Sequence, residues 1–219
     1  MSTASSSPIT PREAWSLRRS TRPAAAFEDI LPRVGLRFPL EAVDVPTALT
    51  IEGEGTWTLS VSGGRAHASE GRSDDAHLHI AMTRGTWKAA VGGRLRDATR
   101  QVVEPLGWLD AWPATDSWVL DAEQAAALRL VEGVLACVVR DRDYAEDHRF
   151  VLGLGRTVDA QTPADVSLTI DLDPLAAFAA SRPGPRELRR LVTGGDVRVD
   201  GDLALPTRLL AAVLPQSSR

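Results

Sequence analysis

Residues 75–90, "DAHLHIAMTRGTWKAA", contain the change of pattern that decides the fold. Up to Met82, apolar residues alternate with other residues, which predicts a β-strand. Thr83 then offers an N-cap for a short helix in which Trp87 and Val91 share one face. A strand that leads directly into an amphipathic helix is typical of a sheet with helices packed on it.

Three more short runs of β-forming residues precede this stretch. They occupy residues 47–53, 56–64 and 65–71, and Gly-containing turns of hairpin length separate them. Such short connections join antiparallel neighbours. The sequence therefore predicts an antiparallel meander that ends in a covering helix.

The same pattern returns in the second half of the chain. Residues 165–180, "DVSLTIDLDPLAAFAA", align with residues 75–90 without a gap. Matches that recur in one order are typical of an internal repeat. Two further pairs of segments match and keep the same order in both halves of the chain. Residues 58–65 match residues 149–156, and residues 118–135 match residues 197–214.

Two domain organisations account for these matches. In the first, residues 1–26 form a mobile tail with a short helix, residues 27–136 and 137–215 are two repeats, and residues 216–219 form a second tail. In the second, the chain is one domain into which residues 94–149 are inserted. The first is favoured, because an insertion has no reason to carry a second copy of the closing helix.

The two candidate closing helices are predicted from different signals. The apolar spacing of residues 121–136 predicts one long amphipathic helix. Residues 194–202, "GGDVRVDGD", predict a helix end, a strand and a corner, and Pro206 then falls in the first turn of the last helix. We expect both helices to pack on the sheet.

Composition and charge restrict the function classes. The 219 residues are 43% apolar, enough for a core, and the net charge of −4 supplies no basic surface for nucleic acid. The charge signs alternate in residues 140–149, which predicts a solvated loop or a helix edge. We also expect no secretory signal and no bilayer-spanning run, and therefore a cytoplasmic protein.

The order of strands, short helix, Gly-Asp corner and final helix resembles the sterol carrier protein 2 family. The residues that carry the resemblance are 56–71 and 74–93 in the first half and 164–178 and 194–214 in the second. The resemblance implies an α+β fold in which a twisted, mainly antiparallel sheet is covered by helices and encloses an apolar tunnel. It also implies a lipid or sterol-like ligand.

Large apolar side chains near the strand-to-helix junctions are the expected ligand contacts. Leu172 also lies at such a junction. Five tryptophans lie in the first repeat, residues 27–136, and none lies in the second, so we expect the ligand in the first. The alternative is that these side chains only fill the core, which a helix on a sheet requires in any case. The predicted ligand-binding residues are Trp57, Met82, Trp87, Trp108, Trp112, Trp118 and Phe178.

Three of these tryptophans fall in one proline-containing segment, residues 107–118, "GWLDAWPATDSW". Such a segment is suited to a lid over a ligand, to an interface between the two halves, or to a dimer contact, because large aromatic side chains prefer sites that bury area. Packing between the halves is the simplest of the three. A homodimer is therefore one of the possible assemblies.

Motifs for metals, cofactors and nucleophiles are weak. His67, His77 and His79 are the one metal-like group, but the alternation around Leu78 places them on the side away from the core, where we expect solvent. Cys137 lies in an apolar run, as an inert cysteine does. We expect no cofactor, because no phosphate-binding loop or dinucleotide fingerprint is present.

Three functions remain open from the sequence. The first is a carrier or binding protein for an apolar small molecule. The second is an enzyme that acts on a hydrophobic metabolite in the same tunnel, with Asp, His or Tyr144 as the acid or base. The third is an interaction module in which side chains fill the tunnel.

Overall fold

The structure is a computed structural model that describes residues 18, 20–34, 43–63, 65–103, 120–180, 190–191 and 193–213. Eight strands in these residues form one continuous sheet. They are β1 (Thr47–Ile51), β2 (Gly55–Ser62), β3 (Arg65–Glu70), β4 (Leu78–Met82), β5 (Gly133–Asp141), β6 (Glu146–Leu154), β7 (Val166–Asp171) and β8 (Val197–Gly201).

The strands follow the order β3-β2-β1-β4-β6-β5-β7-β8 across the sheet. Every neighbouring pair is antiparallel except β1 with β4 and β5 with β7, which are parallel. The predicted fold class, α+β with a mainly antiparallel sheet covered by helices, is confirmed.

Helices cover one side of the sheet, here called the helix face. In the described residues, these helices and that side of the sheet form the three largest apolar clusters. None of the helices in the described part of the chain is both long and apolar enough to span a bilayer. The helices are α1 (π-helical over Ala25–Ile30 and α-helical over Leu31–Val34), α2 (Arg84–Gly92), α3 (Arg94–Val103), α4 (Ala122–Leu128), α5 (Leu172–Ala180) and α6 (Ala204–Val213).

Helix α2 begins where the sequence predicts. The Thr83 side chain accepts a hydrogen bond from the backbone N–H of Thr86 at 3.1 Å, which is the expected N-cap contact. The final helix agrees as well, because Pro206 lies in its first turn. The short helix predicted in the N-terminal tail, which would begin at the N-cap residue Thr10, starts outside the described residues.

Strand β4 does not continue the predicted meander, and this part of the prediction is wrong. β1, β2 and β3 form the meander, but β4 returns to pair in parallel with β1. The reason is that β4 is buried on both of its faces, since the neighbouring residues Ala81 and Met82 point to opposite faces and are both buried. β3 instead exposes Arg65 and Glu70, as the edge of a sheet must.

One arrangement of elements occurs twice in the sheet. In the first copy, β1 and β2 form a hairpin, β4 lies parallel to β1, and helix α2 follows β4. In the second copy, β5 and β6 form a hairpin, β7 lies parallel to β5, and helix α5 follows β7. The pair β4–β6 joins the two groups. The predicted boundary between residues 136 and 137 lies inside β5. The two-repeat organisation stays a prediction.

Helix α4 is shorter than predicted. It ends at Leu128, and the rest of the predicted helix of residues 121–136 belongs to a turn and to β5. Gly133 has φ +148, which no helix contains, and Val134 and Leu135 after it are buried on opposite faces of β5. The sequence of a strand that is buried on both faces is a continuous apolar run, and periodicity alone cannot distinguish such a run from a buried helix.

The β5–β6 hairpin replaces the predicted loop or helix edge of residues 140–149. Asp141 is buried, and its Oδ2 accepts a hydrogen bond from Arg94 Nε at 2.9 Å. This contact lowers the pKa of Asp141 from its ordinary value. The Arg94 guanidinium also lies 4.5 Å from the centroid of the exposed Tyr144 ring. The first residue of α3 thereby anchors the hairpin.

Residues 155–164 fold back over the other side of the sheet, here called the loop face. Val158 packs there in a buried cluster with Ala81, Val134 and Val151. The Arg149 guanidinium donates hydrogen bonds of 2.8 Å to the carbonyl oxygens of Ala160 and Thr162.

Gly153 allows this loop to approach the sheet. A Cβ at this position would meet Val158 Cγ1 at 2.8 Å and would also collide with the carbonyl oxygen of Arg156. Overpacking of this kind is destabilising when the neighbouring backbone is held in place.

We predict that Gly153→Ala lowers the free energy of unfolding by about 2 kcal/mol or more. The same change at Gly85, within α2 and with only Thr83 Oγ1 nearby at 3.6 Å, should be neutral or stabilising by about 0.5 kcal/mol. Urea unfolding of both variants measures the two values. Equal stability of the two variants would show that the loop does not lie against Gly153.

Candidate functional site

Three of the predicted ligand-binding residues come together on the helix face. Trp57 of β2, Met82 of β4 and Trp87 of α2 belong to one buried cluster with Phe27 of α1. The Phe27 ring lies between the two indoles, with ring centroids 5.3 Å from each. Sequence analysis missed Phe27, because nothing in the short helical signal of α1 shows which strand it packs on.

Both indole N–H groups of this cluster have partners from the N-terminal segment. Trp57 Nε1 donates to Glu28 Oε1 at 2.9 Å, and Trp87 Nε1 donates to the carbonyl oxygen of Thr21 at 3.4 Å. Buried indoles usually satisfy their N–H in this way. This end of the helix face is therefore closed by side chains.

Further along the sheet the apolar side chains are only half-buried. Ile80 pairs with Leu152, Phe150 pairs with Cys137, and Cys137 pairs with Leu168 across β4, β6, β5 and β7. All five face the helices and all five keep partial exposure. We call this row, Ile80, Leu152, Phe150, Cys137 and Leu168, the central trough.

On the loop face, the central residues of β4, β5 and β6 are fully buried. Ala81, Ala136 and Val151 alternate with the trough residues along β4, β5 and β6, and their exposed fractions are 0%, 1% and 0%. The centre of a sheet covered by helices is normally its most buried part. Here the helix face is less buried at its centre than the loop face is.

The arrangement of the helices explains this difference. α3 packs against α2 and α5, while α4 packs against α6, and within the described residues the two groups make little contact with each other. The first group buries Val139 and Ile170. The second group buries Leu135, Leu154 and Val166. The trough lies between these two buried bands.

The pKa of Cys137 shows that the trough is a less polar environment than water. Burial raises the pKa of its thiol to about 11, although part of the residue's surface remains exposed. At neutral pH this thiol is protonated, so Cys137 is an apolar lining residue and not a nucleophile.

The other predicted contacts are only partly described. Leu172 is buried at the start of α5 in the cluster of Val139 and Ile170, against which Phe150 of the trough also packs. Phe178 lies on α5, but its side chain is outside the described part of the structure. Trp108, Trp112 and Trp118 lie outside the described residues altogether, so their role stays a prediction.

The histidines do not share a solvated face, and this prediction is wrong. His79 is buried on the loop face, because residues 155–164 cover it there. His77 is half-buried, with Nε2 3.2 Å from the carbonyl oxygen of Val131. His67 is exposed on β3, and β2 and β1 separate it from β4. Among the described residues, no group of three or more His, Cys, Asp or Glu side chains is placed to bind a metal.

His79 has one tautomer in this arrangement. The backbone N–H of Val158 donates to Nδ1 at 2.9 Å, so Nε2 carries the proton and donates to Thr50 Oγ1 at 2.7 Å. The Thr50 hydroxyl in turn lies 2.8 Å from that of Thr56. Burial first, and the Arg72 charge second, lower the pKa of His79. This row is structural, because it lies on the face opposite the trough.

No protein-family model matches this chain, and no curated protein matches its sequence. Solved structures similar to it include sterol carrier protein 2 domains. Sterol Carrier Protein 2 Like 2 from Aedes aegypti is 13% identical, with a TM-score of 0.31 over 53% of this chain and 97% of its own. The sterol carrier protein domain 2 of Helicoverpa armigera is 12% identical, with a TM-score of 0.30 over 57% of this chain and 92% of its own.

Sterol Carrier Protein 2 from Yarrowia lipolytica, in its apo form, is also 12% identical. Its TM-score is 0.28 over 55% of this chain and 90% of its own. These structures belong to the family whose motifs the sequence resembles.

We predict that protonation of His79 makes the protein less stable in mild acid. The lowered pKa means that the unfolded chain binds this proton more readily than the folded one does. Its contribution is therefore fully present above the ordinary histidine pKa of 6.5 and is lost as the pH falls below it, by at most about 1.4 kcal/mol per pH unit.

His79→Gln should make the free energy of unfolding less dependent on pH between pH 7.5 and 5, as measured by urea unfolding. His67→Gln, the same change at an exposed histidine, should keep the wild-type dependence. An unchanged slope in His79→Gln would contradict the role given to His79.

Proposed function

We propose that this protein binds an elongated apolar small molecule, lipid or sterol-like, along the central trough. The observation that carries the proposal is the half-buried apolar row between two buried bands of the helix face. Apolar surface left open inside a helix-covered sheet is what an apolar ligand would cover. Each 100 Å² of it removed from water favours binding by about 2.5 kcal/mol.

On this proposal the two halves build one shared site. Ile80 belongs to the first half, whereas the other trough residues lie on β6, β5 and β7. The cluster of Trp57, Met82 and Trp87 forms the closed end, and Trp108, Trp112, Trp118 and Phe178 are proposed as further contacts. This differs from the expectation that the ligand lies in the first half alone.

The enzymatic alternative has less support. Tyr144, considered as an acid or base, is 62% exposed in the β5–β6 turn and lies against the Arg94 guanidinium. The raised pKa of the Cys137 thiol removes it as a nucleophile at neutral pH. Within the part of the chain that the structure describes, the filled-tunnel alternative is supported where Phe27 lies between Trp57 and Trp87.

The direct test fills the trough with a larger side chain. We predict that Leu152→Trp weakens binding of the neutral apolar probe N-phenyl-1-naphthylamine at least about tenfold, because an indole occupies the volume that the probe needs. Leu130→Trp makes the same change at a residue that is 83% exposed and should bind as the wild type does. Probe fluorescence measures binding, and circular dichroism checks the fold.

Cys137→Leu is a smaller filling change for the case that Leu152→Trp does not fold. This variant should also bind the probe more weakly than wild type does. Equal binding by the filled variants and by Leu130→Trp would place the probe elsewhere and overturn the proposal. A wild type that binds no probe would favour the filled tunnel instead.

A further inference from the structure

His148 is a buried polar residue whose Nε2 atom has no hydrogen-bond partner. Its side chain is 7% exposed, and Nε2 is the one buried side-chain nitrogen or oxygen in the described residues that no group hydrogen-bonds. An unpaired buried polar group usually lowers stability, and each case needs an explanation. Two neighbours on the same face, Val139 and Ile170, are apolar.

The position of His148 connects it to the trough. It lies two residues before Phe150 on β6, so both side chains are on the helix face, about 7 Å apart along the strand. Phe150 is a trough residue and also contacts the cluster that buries Val139. His148 is therefore the polar group next to Phe150, in the middle of the apolar row.

The charges around His148 restrict what it can bind. The Glu146 carboxylate has its Oε2 at 3.9 Å from Nε2. The Asp141 carboxylate, which pairs with Glu146 in the sheet register, is already bound by Arg94. A ligand carboxylate here would meet like charge in a buried place, which is unfavourable. A hydroxyl is neutral, and it donates or accepts according to the histidine tautomer.

We infer that His148 Nε2 is the polar contact of the ligand, and that the ligand is an apolar molecule that ends in a neutral hydroxyl group. This inference rests on the proposed function of the trough. It explains why a histidine stands where a leucine would pack with Val139 and Ile170. It also places the ligand hydroxyl beside Phe150 on β6, with the apolar body in the trough.

The experiment compares three probes with the same body and different ends. They are pyrenyl-dodecanol, pyrenyl-dodecanoate and pyrenyl-dodecane, each titrated at pH 7.5 into the full chain. We expect wild type to bind the alcohol about tenfold more tightly than either of the other two. His148→Leu should lose most of this preference, while its binding of the hydrocarbon stays equal or becomes tighter.

The control is His67→Leu, the same change at an exposed histidine of β3, which should keep the wild-type preference. Thermal unfolding gives a second measurement, because His148→Leu removes an unpaired buried nitrogen and should unfold at an equal or higher temperature. His148→Gln, which still donates and accepts, should keep part of the preference and serves if the leucine variant does not fold.

The failures of the two proposals are distinguishable. Alcohol binding that His148→Leu leaves unchanged but Leu152→Trp abolishes would overturn the role of His148 and keep the trough. Tighter binding of the carboxylate than of the alcohol would also overturn it. Loss of all three probes from wild type would overturn the trough and the inference with it.

Discussion

The antiparallel pairing of β4 with β6 is the contact on which the rest of the structure depends. It is the one place where the β1–β4 strands meet the β5–β8 strands in the sheet. Ala81 and Val151 pair there and are fully buried under residues 155–164. Because the loop face is sealed at this pair, any opening in the middle of the protein has to be on the helix face.

The helix face is covered unevenly because its helices pack in two groups. One group buries the apolar residues near the β5–β6 turn, and the other buries those near the opposite ends of the same strands. The residues between, from Ile80 to Leu168, stay half-buried. His148 adjoins this opening, so one region combines exposed apolar area with an unpaired polar nitrogen. Both features oppose folded stability, and a bound ligand would relieve both.

Local signals in the sequence predicted several elements well. The alternation up to Met82 and the N-cap at Thr83 place the junction of β4 and α2 correctly, and Pro206 lies in the first turn of the last helix. Trp57, Met82 and Trp87, three of the seven predicted ligand-binding residues, form one buried cluster, and their contact with a ligand stays a prediction. Predictions failed where burial depends on distant residues. β5 was taken for helix because both of its faces are covered, and His79 was placed in solvent because the loop that covers it follows about eighty residues later.

By itself the sequence determined the period of each element, its caps and turns, and hence the class of fold, because these depend on neighbours within a few residues. It did not determine which strand lies next to β1, which face residues 155–164 cover, or that Phe27 enters between two tryptophans. Those follow from contacts between distant segments, for which several arrangements satisfy the same local pattern. The trough and the unpaired nitrogen of His148 are also tertiary results, since each is defined by what the surrounding helices leave uncovered.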